Sequence, residues 1–253
     1  MVKGFNVLVE KNTLMARVTK NGIEGMVGNY VFYTMNGKAY VRARPAKRAK
    51  KKNQPANPVT SIFGTVSKYG TAMIKEMSKS FPIPFTRDVY NRLRGWMRNE
   101  YAANGSTPEW KLEHNNNICS FDIEADLRDY WRKNLTVTDK GNGKIQLEIP
   151  EFNPLKDIKV PGRTMKVNLK LIAITSPFKG DPKACSSCTT QFSFDYSSNP
   201  VPANKFALQT TAGTGDIALV VMSMEFYTSG EKDSLVKDKK WMPAAVMAFG
   251  RLK

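Results

Sequence analysis

The feature that most constrains the fold is a predicted β-hairpin centred on Asn36-Gly37. Asn-Gly is the dipeptide that best tolerates the two positive φ angles of a type I′ turn, and β-branched and aromatic residues flank it on both sides. A two-residue turn fixes the register of its strands. The sequence therefore predicts that Tyr33 faces Tyr40 and, further out, that Asn29 faces Arg44.

The two faces of this hairpin differ because successive side chains of a strand point to opposite sides. One face is nearly all apolar and is expected to be buried; it carries Tyr30, Phe32, Ala39, Val41 and Ala43. The opposite face mixes aromatic rings with cations; it carries Tyr33, Lys38, Tyr40, Arg42 and Arg44.

A lysine-rich segment follows the hairpin. Pro45 ends the second strand because proline cannot donate to a sheet ladder. The cations that follow are Lys47, Arg48, Lys50, Lys51 and Lys52. Such a segment repels itself and stays extended unless an anion meets it. Lysine and arginine bind phosphates regardless of sequence, and exposed rings stack on unpaired bases. The alternative is a solvated loop whose lysines discourage aggregation through a strand edge.

Positive charge is concentrated in the N-terminal part of the chain. The 253 residues include 39 Lys and Arg against 22 Asp and Glu, and residues 1–105 hold 19 of the former and 5 of the latter. A chain of this length suits one large or two small domains. We place the boundary between a basic hairpin and two-helix region, residues 1–105, and a β-sandwich-like domain, residues 106–253.

Two amphipathic helices are predicted after the lysine-rich segment. Apolar residues recur at helical spacing from Ile62 to Met77, and the prolines of residues 81–84 end this helix. Thr86 can cap a second helix that closes at Asn104-Gly105. Its other face carries Arg87, Arg92, Arg94 and Arg98, which either extend a phosphate-contacting surface or are simply solvated. Residues 5–22 predict two short strands that join the hairpin in a small antiparallel sheet.

The pattern turns to β from residue 106 onward. The first candidate strand, Cys119 to Leu127, alternates between apolar and acidic or polar residues. Seven more are Leu135 to Thr138, Lys144 to Ile149, Met165 to Thr175, Thr190 to Tyr196, Phe206 to Thr210, Ile217 to Tyr227 and Trp241 to Phe249. Eight strands favour an antiparallel β-sandwich, with a closed barrel as the alternative. The expected fold class is α+β, mostly β.

One short motif has known metal and redox chemistry, Cys185-Ser-Ser-Cys188. Cys119 and the single histidine, His114, would complete a zinc set of three thiolates and one imidazole. Against this set, Cys119 falls on the apolar side of its predicted strand, and structural zinc sites normally show two close ligand pairs. We therefore expect no metal and no other cofactor.

The sequence indicates a protein that is not an enzyme. A nucleophilic triad needs a histidine base, and His114 stands alone among asparagines. Neither GxxxxGK[ST] nor GxGxxG occurs. The densest acidic cluster is Asp122, Glu124, Asp126 and Asp129, which is either a solvated face or an acceptor for the basic hairpin of a neighbouring copy.

The N-terminal pattern carries a family resemblance. Gly28-Asn-Tyr-Val-Phe-Tyr33, followed by Asn36-Gly-Lys-Ala-Tyr-Val-Arg-Ala-Arg-Pro45, resembles bacterial domains of unknown function with a "GNxVFY...NGKxYVRxxP" hairpin. The likeness covers about residues 1–80. The resemblance implies a shared hairpin module and implies no activity. The segment after Pro45 contains more lysine than that pattern does.

Two functions follow from these observations. The first is sequence-independent nucleic-acid binding, or binding of another polyanion, by the cationic face of the hairpin and the lysine-rich segment. The second is a structural subunit of a homo-oligomeric assembly, such as a particle or surface layer, in which the basic arm docks on a neighbour. No apolar stretch reaches the length of a membrane span and no signal peptide is recognised, so a cytoplasmic location is expected, with a particle-associated one as the alternative.

Overall fold

A computed structural model describes residues 16–19, 22–35, 37–44, 58–82, 84–105, 110–122, 124–228 and 234–253. The chain divides into two compact units, residues 1–55 and 56–253. As predicted, the described residues are mostly β, in antiparallel sheets accompanied by helices. No described helix is long and apolar enough to cross a membrane.

The first unit contains a four-stranded antiparallel sheet in sequential order. Its strands are β1 (Ala16–Thr19), β2 (Gly22–Val27), β3 (Tyr30–Met35) and β4 (Lys38–Ala43). A small sheet was predicted from residues 5–22 and the hairpin; β1 lies within those residues, whereas β2 begins at Gly22 and lies later than predicted. Residues 1–15 are outside the described part of the chain.

The predicted register of the hairpin is confirmed. Tyr33 lies opposite Tyr40, and the backbone N–H of Arg44 donates to the carbonyl of Asn29 at 2.6 Å. Gly37 has a φ of 74°, which a type I′ turn requires and which glycine adopts without strain. Asn36 itself is not among the described residues.

The prediction that the apolar face of the hairpin is buried is wrong. Tyr30 and Val41 are each 56% exposed, and Ile23 and Val27 on the adjoining strand are 46% and 50% exposed. The register places these four side chains on one face of the sheet. All described residues of the first unit belong to this sheet or its turns, so they supply no second layer to cover it.

The second unit is built around a large antiparallel sheet. Its strands in spatial order are β5 (His114–Ser120), β13 (Ala244–Arg251), β11 (Ile217–Thr228), β8 (Thr164–Ser176) and β9 (Ser186–Asp195), with β12 (Ser234–Leu235) paired to β11. A three-stranded sheet has the order β10 (Asn204–Gln209), β7 (Lys144–Ile149) and β6 (Thr136–Asp139). The helices are α1 (Pro58–Ser78), α2 (Arg87–Asn104), α3 (Leu127–Tyr130) and α4 (Pro154–Asp157).

Each face of the large sheet contributes to a different apolar cluster. Leu171 of β8 packs in a cluster with Leu147 of the three-stranded sheet. Its neighbour Ile172 packs in a second cluster with Met73 of α1 and Met97 of α2. Strand alternation explains why consecutive residues enter different clusters. Both sheets are open at their edges.

Both predicted helices are confirmed, including the Thr86 cap, whose hydroxyl accepts from the backbone N–H of Val89 at 3.4 Å. They pack on the large sheet through Met73 and Met97, so the contacts divide the chain between residues 55 and 56. The sequence-based boundary after residue 105 followed the change in residue pattern instead. Such a pattern does not reveal which sheet a helix covers.

A buried ion pair lies where α1 ends on the sheet. The Lys170 ammonium donates to Glu225 Oε1 at 2.7 Å and to the carbonyl of Ser80 at 2.9 Å. The second carboxylate oxygen of Glu225 accepts from the Asn168 amide at 2.9 Å. Because both charges are paired and hydrogen-bonded, their desolvation is offset, and the lysine links Ser80, two residues after α1, to the sheet.

We predict that Met73→Ala destabilises the protein by about 2–5 kcal/mol, because Met73 is fully buried between α1 and the sheet and its removal leaves a cavity. Phe63→Ala on the same helix is the matched control, since Phe63 is 50% exposed and should cost far less. Urea denaturation followed by circular dichroism measures both. Equal costs would contradict this packing of α1.

A candidate nucleic-acid interface on the N-terminal hairpin

The hairpin presents two stacked aromatic rings beside cations. The rings of Tyr33 and Tyr40 lie with their centroids 5.6 Å apart and their planes 19° from parallel. They face each other across the strands because the Asn-Gly turn sets that register. The Arg42 guanidinium carbon lies 5.7 Å from the Tyr33 centroid, within cation–π range. Each tyrosine is 37% exposed, so the pair remains accessible to solvent.

The cations of this face have no carboxylate partner among the described residues. Lys38, Arg42 and Arg44 are all exposed, and none of them takes part in an ion pair within the described part of the chain. Residues 1–55 contain 12 Lys and Arg but only two acids, Glu10 and Glu24. The acids of the first unit are therefore too few to neutralise its cations.

The structure brings together five of the ten predicted binding residues. Tyr33, Lys38, Tyr40, Arg42 and Arg44 share one short hairpin. The other five, Lys47, Arg48, Lys50, Lys51 and Lys52, fall outside the described residues. The sheet thus holds an aromatic and cationic face immediately before the lysine-rich segment in sequence.

The hypothetical zinc ligands are not brought together. Cys188 packs against the same cluster as Leu171, whereas Cys185 and Cys119 belong with the helix-side cluster. The described residues contain no group of three or more His, Cys, Asp or Glu able to hold a metal ion. Burial raises the pKa of the Cys119 thiol to about 11 and also raises that of Cys185. The side chain of His114 is not described.

The acidic stretch is not the strand that its alternation predicted. Strand β5 ends at Ser120, and the Asp122 carboxylate accepts from the backbone N–H of Glu124 at 3.1 Å, which turns the chain. Asp126 caps α3 and binds the guanidinium of Arg128 through both carboxylate oxygens. Asp126 is therefore occupied within its own chain, which removes it from the acidic surface expected to receive a neighbour's basic arm.

Concave features were not predicted from the sequence. The larger one, of about 460 Å³, is lined by aromatic and apolar side chains together with charges of both signs. Its lining includes Phe81, Phe85, Phe121, Asp122, Arg92 and Lys239. This mixture of charges does not favour one class of ligand. A smaller groove lies between α1 and α2, where Phe63 is half exposed although it continues the apolar repeat of α1.

No family model, curated protein or solved structure matches this chain. The hairpin resemblance described above stays an expectation.

The pairing of Asp126 predicts a pH-dependent contribution to stability. Hydrogen bonds from Arg128, above all, lower the pKa of Asp126 from 3.8 to about 2. The stabilisation is thus complete well above pH 3.8 and is lost as the pH falls through about 2. Asp126→Asn should cost about 1 kcal/mol at pH 7, an amount reduced by solvent screening, and almost nothing near pH 2. Urea denaturation at several pH values measures the difference.

The control for this experiment is Asp129→Asn, which removes the same charge from an exposed carboxylate of α3 that forms no ion pair among the described residues. It should change stability less than Asp126→Asn at pH 7. A cost of Asp126→Asn that is the same at both pH values would refute the role of the Arg128 pair.

Proposed function

We propose that this chain is a non-enzymatic polyanion-binding protein that binds single-stranded nucleic acid without sequence preference, through the hairpin and the lysine-rich segment. The observation that carries the proposal is the exposed Tyr33–Tyr40 stack, flanked by cations that lack a carboxylate partner among the described residues. The charge and the rings account for different parts of the binding.

The charge supplies affinity that does not depend on sequence. Lysine and arginine that neutralise phosphates release condensed counterions, so the affinity falls as salt rises. The hairpin contributes Lys38, Arg42 and Arg44, which are exposed on one short sheet. Residues 47–52 add five more cations. A surplus of this size in one unit favours an anion with many charges over a single phosphate.

The rings favour unpaired bases over other polyanions. A base that stacks on an aromatic side chain gains about 1–3 kcal/mol, and any base can do so because each has a π-face. In a duplex those faces are already stacked on neighbouring bases. Tyr33 and Tyr40 stack on each other, and each residue is 37% exposed, so a base can stack on the exposed part of the pair. An acidic protein or a lipid surface would use the cations but would not need the rings.

The proposal predicts that cations and rings contribute in separable ways. Arg42→Gln with Arg44→Gln should lower the slope of log affinity against log salt by about 1.4, since each phosphate contact on a single strand contributes about 0.7. Tyr40→Ala should weaken binding about tenfold while leaving that slope nearly unchanged. Fluorescence anisotropy with a labelled oligo(dT), repeated over a range of salt, measures both quantities.

Lys140→Gln with Lys144→Gln is the matched control, because it removes two exposed lysines from around the turn that precedes β7. It should alter binding little. An affinity that does not change with salt would count against the proposal. So would a duplex that binds as tightly as the single strand, if Tyr40→Ala weakens the binding of neither.

A second candidate is the structural subunit, and the exposed apolar face of the first sheet favours it. Ile23, Val27, Tyr30 and Val41 form a face on which the described residues carry no charge. The same face of a second copy would meet it without bringing like charges together, and both cationic faces would then point outward. Sheets that pack in this way lie about 10 Å apart.

The second candidate predicts reversible self-association that Val41→Lys abolishes, because a buried unpaired ammonium is costly in such an interface. Sedimentation velocity at several concentrations and salt strengths detects it. Lys38→Gln, on the opposite face, is the control and should leave association unchanged. A monomer under every condition would exclude this role.

A further inference from the structure

We infer that the groove between α1 and α2 is a second contact site for single-stranded nucleic acid, with Phe63 as the stacking ring and Arg94 and Arg98 as the phosphate contacts. The inference rests on the proposed function but concerns a different surface in the second unit. It follows from the shape of the groove, the exposure of one ring and the state of two guanidinium groups.

The groove is small and open. It holds about 140 Å³ and is lined from α1 by Phe63, Val66 and Ser67, and from α2 by Asn91, Arg94, Gly95 and Arg98. Pockets that enclose drug-sized ligands measure about 300–1,000 Å³. This groove is therefore too small to enclose a free nucleotide. It can receive one phosphate or the edge of one base from an extended strand.

Phe63 is the unusual residue of this surface. It is 50% exposed, whereas Val66, one turn further along α1, is 1% exposed and packs in the helix-side cluster. Burial against the sheet therefore does not account for the ring. A phenyl ring held on a rigid helix beside cations is a stacking platform that loses little conformational freedom on binding.

The two arginines lack the partners that usually neutralise arginines on a helix. Helical ion pairs form at spacings of three or four residues, and no Asp or Glu stands at those spacings from Arg94 or Arg98. Arg94 donates to the neutral amide of Asn91 at 3.2 Å, and Arg98 to that of Asn99 at 3.5 Å. Neither arginine forms an ion pair with a described carboxylate. Both guanidinium groups therefore keep their charge available to a phosphate.

Gly95 leaves one wall of the groove without a side chain. A Cβ built at this position would meet no atom within 4 Å, so a side chain can start there without a clash at its first carbon. Glycine inside a helix lowers helix stability, so a leucine should also favour α2. Gly95→Leu thus fills the groove while the charge of the protein stays the same.

The test measures binding of the full chain to labelled oligo(dT) by anisotropy over a range of salt. Gly95→Leu and Phe63→Ala should each weaken binding several-fold to tenfold without changing the salt slope. Arg94→Gln with Arg98→Gln should lower the slope by about 1.4. Gly64→Leu is the control for Gly95→Leu, since Gly64 also has open space around its Cβ position but does not line the groove. Circular dichroism confirms that each variant is folded.

The outcomes separate this inference from the proposed function. If the groove variants bind like the wild type while the hairpin variants lose affinity, the groove is not a contact site and the proposed function stands. If only the arginine variant changes, the arginines act through the general field of the surface and the inferred site is wrong. If the wild type does not bind oligo(dT) at all, the proposed function is wrong, and this inference is wrong with it.

Discussion

The second unit depends on two long central strands that bury side chains on both faces. Every residue of β8 from Val167 to Ser176 and of β11 from Ile217 to Phe226 is buried. A sheet with two apolar faces needs other elements packed on both of them, since a large exposed apolar area is unfavourable in water. Residues of α1 and α2 join the cluster on one face, and residues of the three-stranded sheet join the cluster on the other. Lys170 and Glu225 pair where the helical cover ends.

The four-stranded sheet of the first unit differs from the large sheet, because large residues on both of its faces remain exposed. Tyr30 and Val41 are exposed on one face, and Tyr33 and Tyr40 on the other. Among the described residues of the first unit, the side chains of this sheet stabilise it through cross-strand pairs, which contribute only about 0.2–1 kcal/mol each. A ligand that binds only the folded sheet adds stability that grows with its concentration. An anion on the cationic face would thus stabilise the sheet and relieve the mutual repulsion of its cations.

Local chemistry explains which parts of the fold could be predicted from the sequence. The Asn-Gly turn determined the hairpin register, and β7 has the predicted bounds, because short-range signals suffice for both. The stretch from Cys119 to Leu127 alternates as a strand would, and Phe121, Ala125 and Leu127 are indeed buried. The aspartates of its polar positions instead bond to nearby backbone N–H groups and break the ladder. Which face each cysteine meets depends on strand pairing, which no motif spacing reveals.

The groove between α1 and α2 could not be recognised from the sequence pattern of the two helices. Phe63 falls in the apolar repeat of α1, and only the packing of the helices shows that its ring stays outside the core. Arg94 and Arg98 stand four residues apart, where like charges destabilise a helix by about 0.2–0.5 kcal/mol. A helix selected only for stability would place a carboxylate beside one of them. A phosphate bound between the two guanidinium groups would remove that repulsion, so the arrangement favours the bound state over the free one.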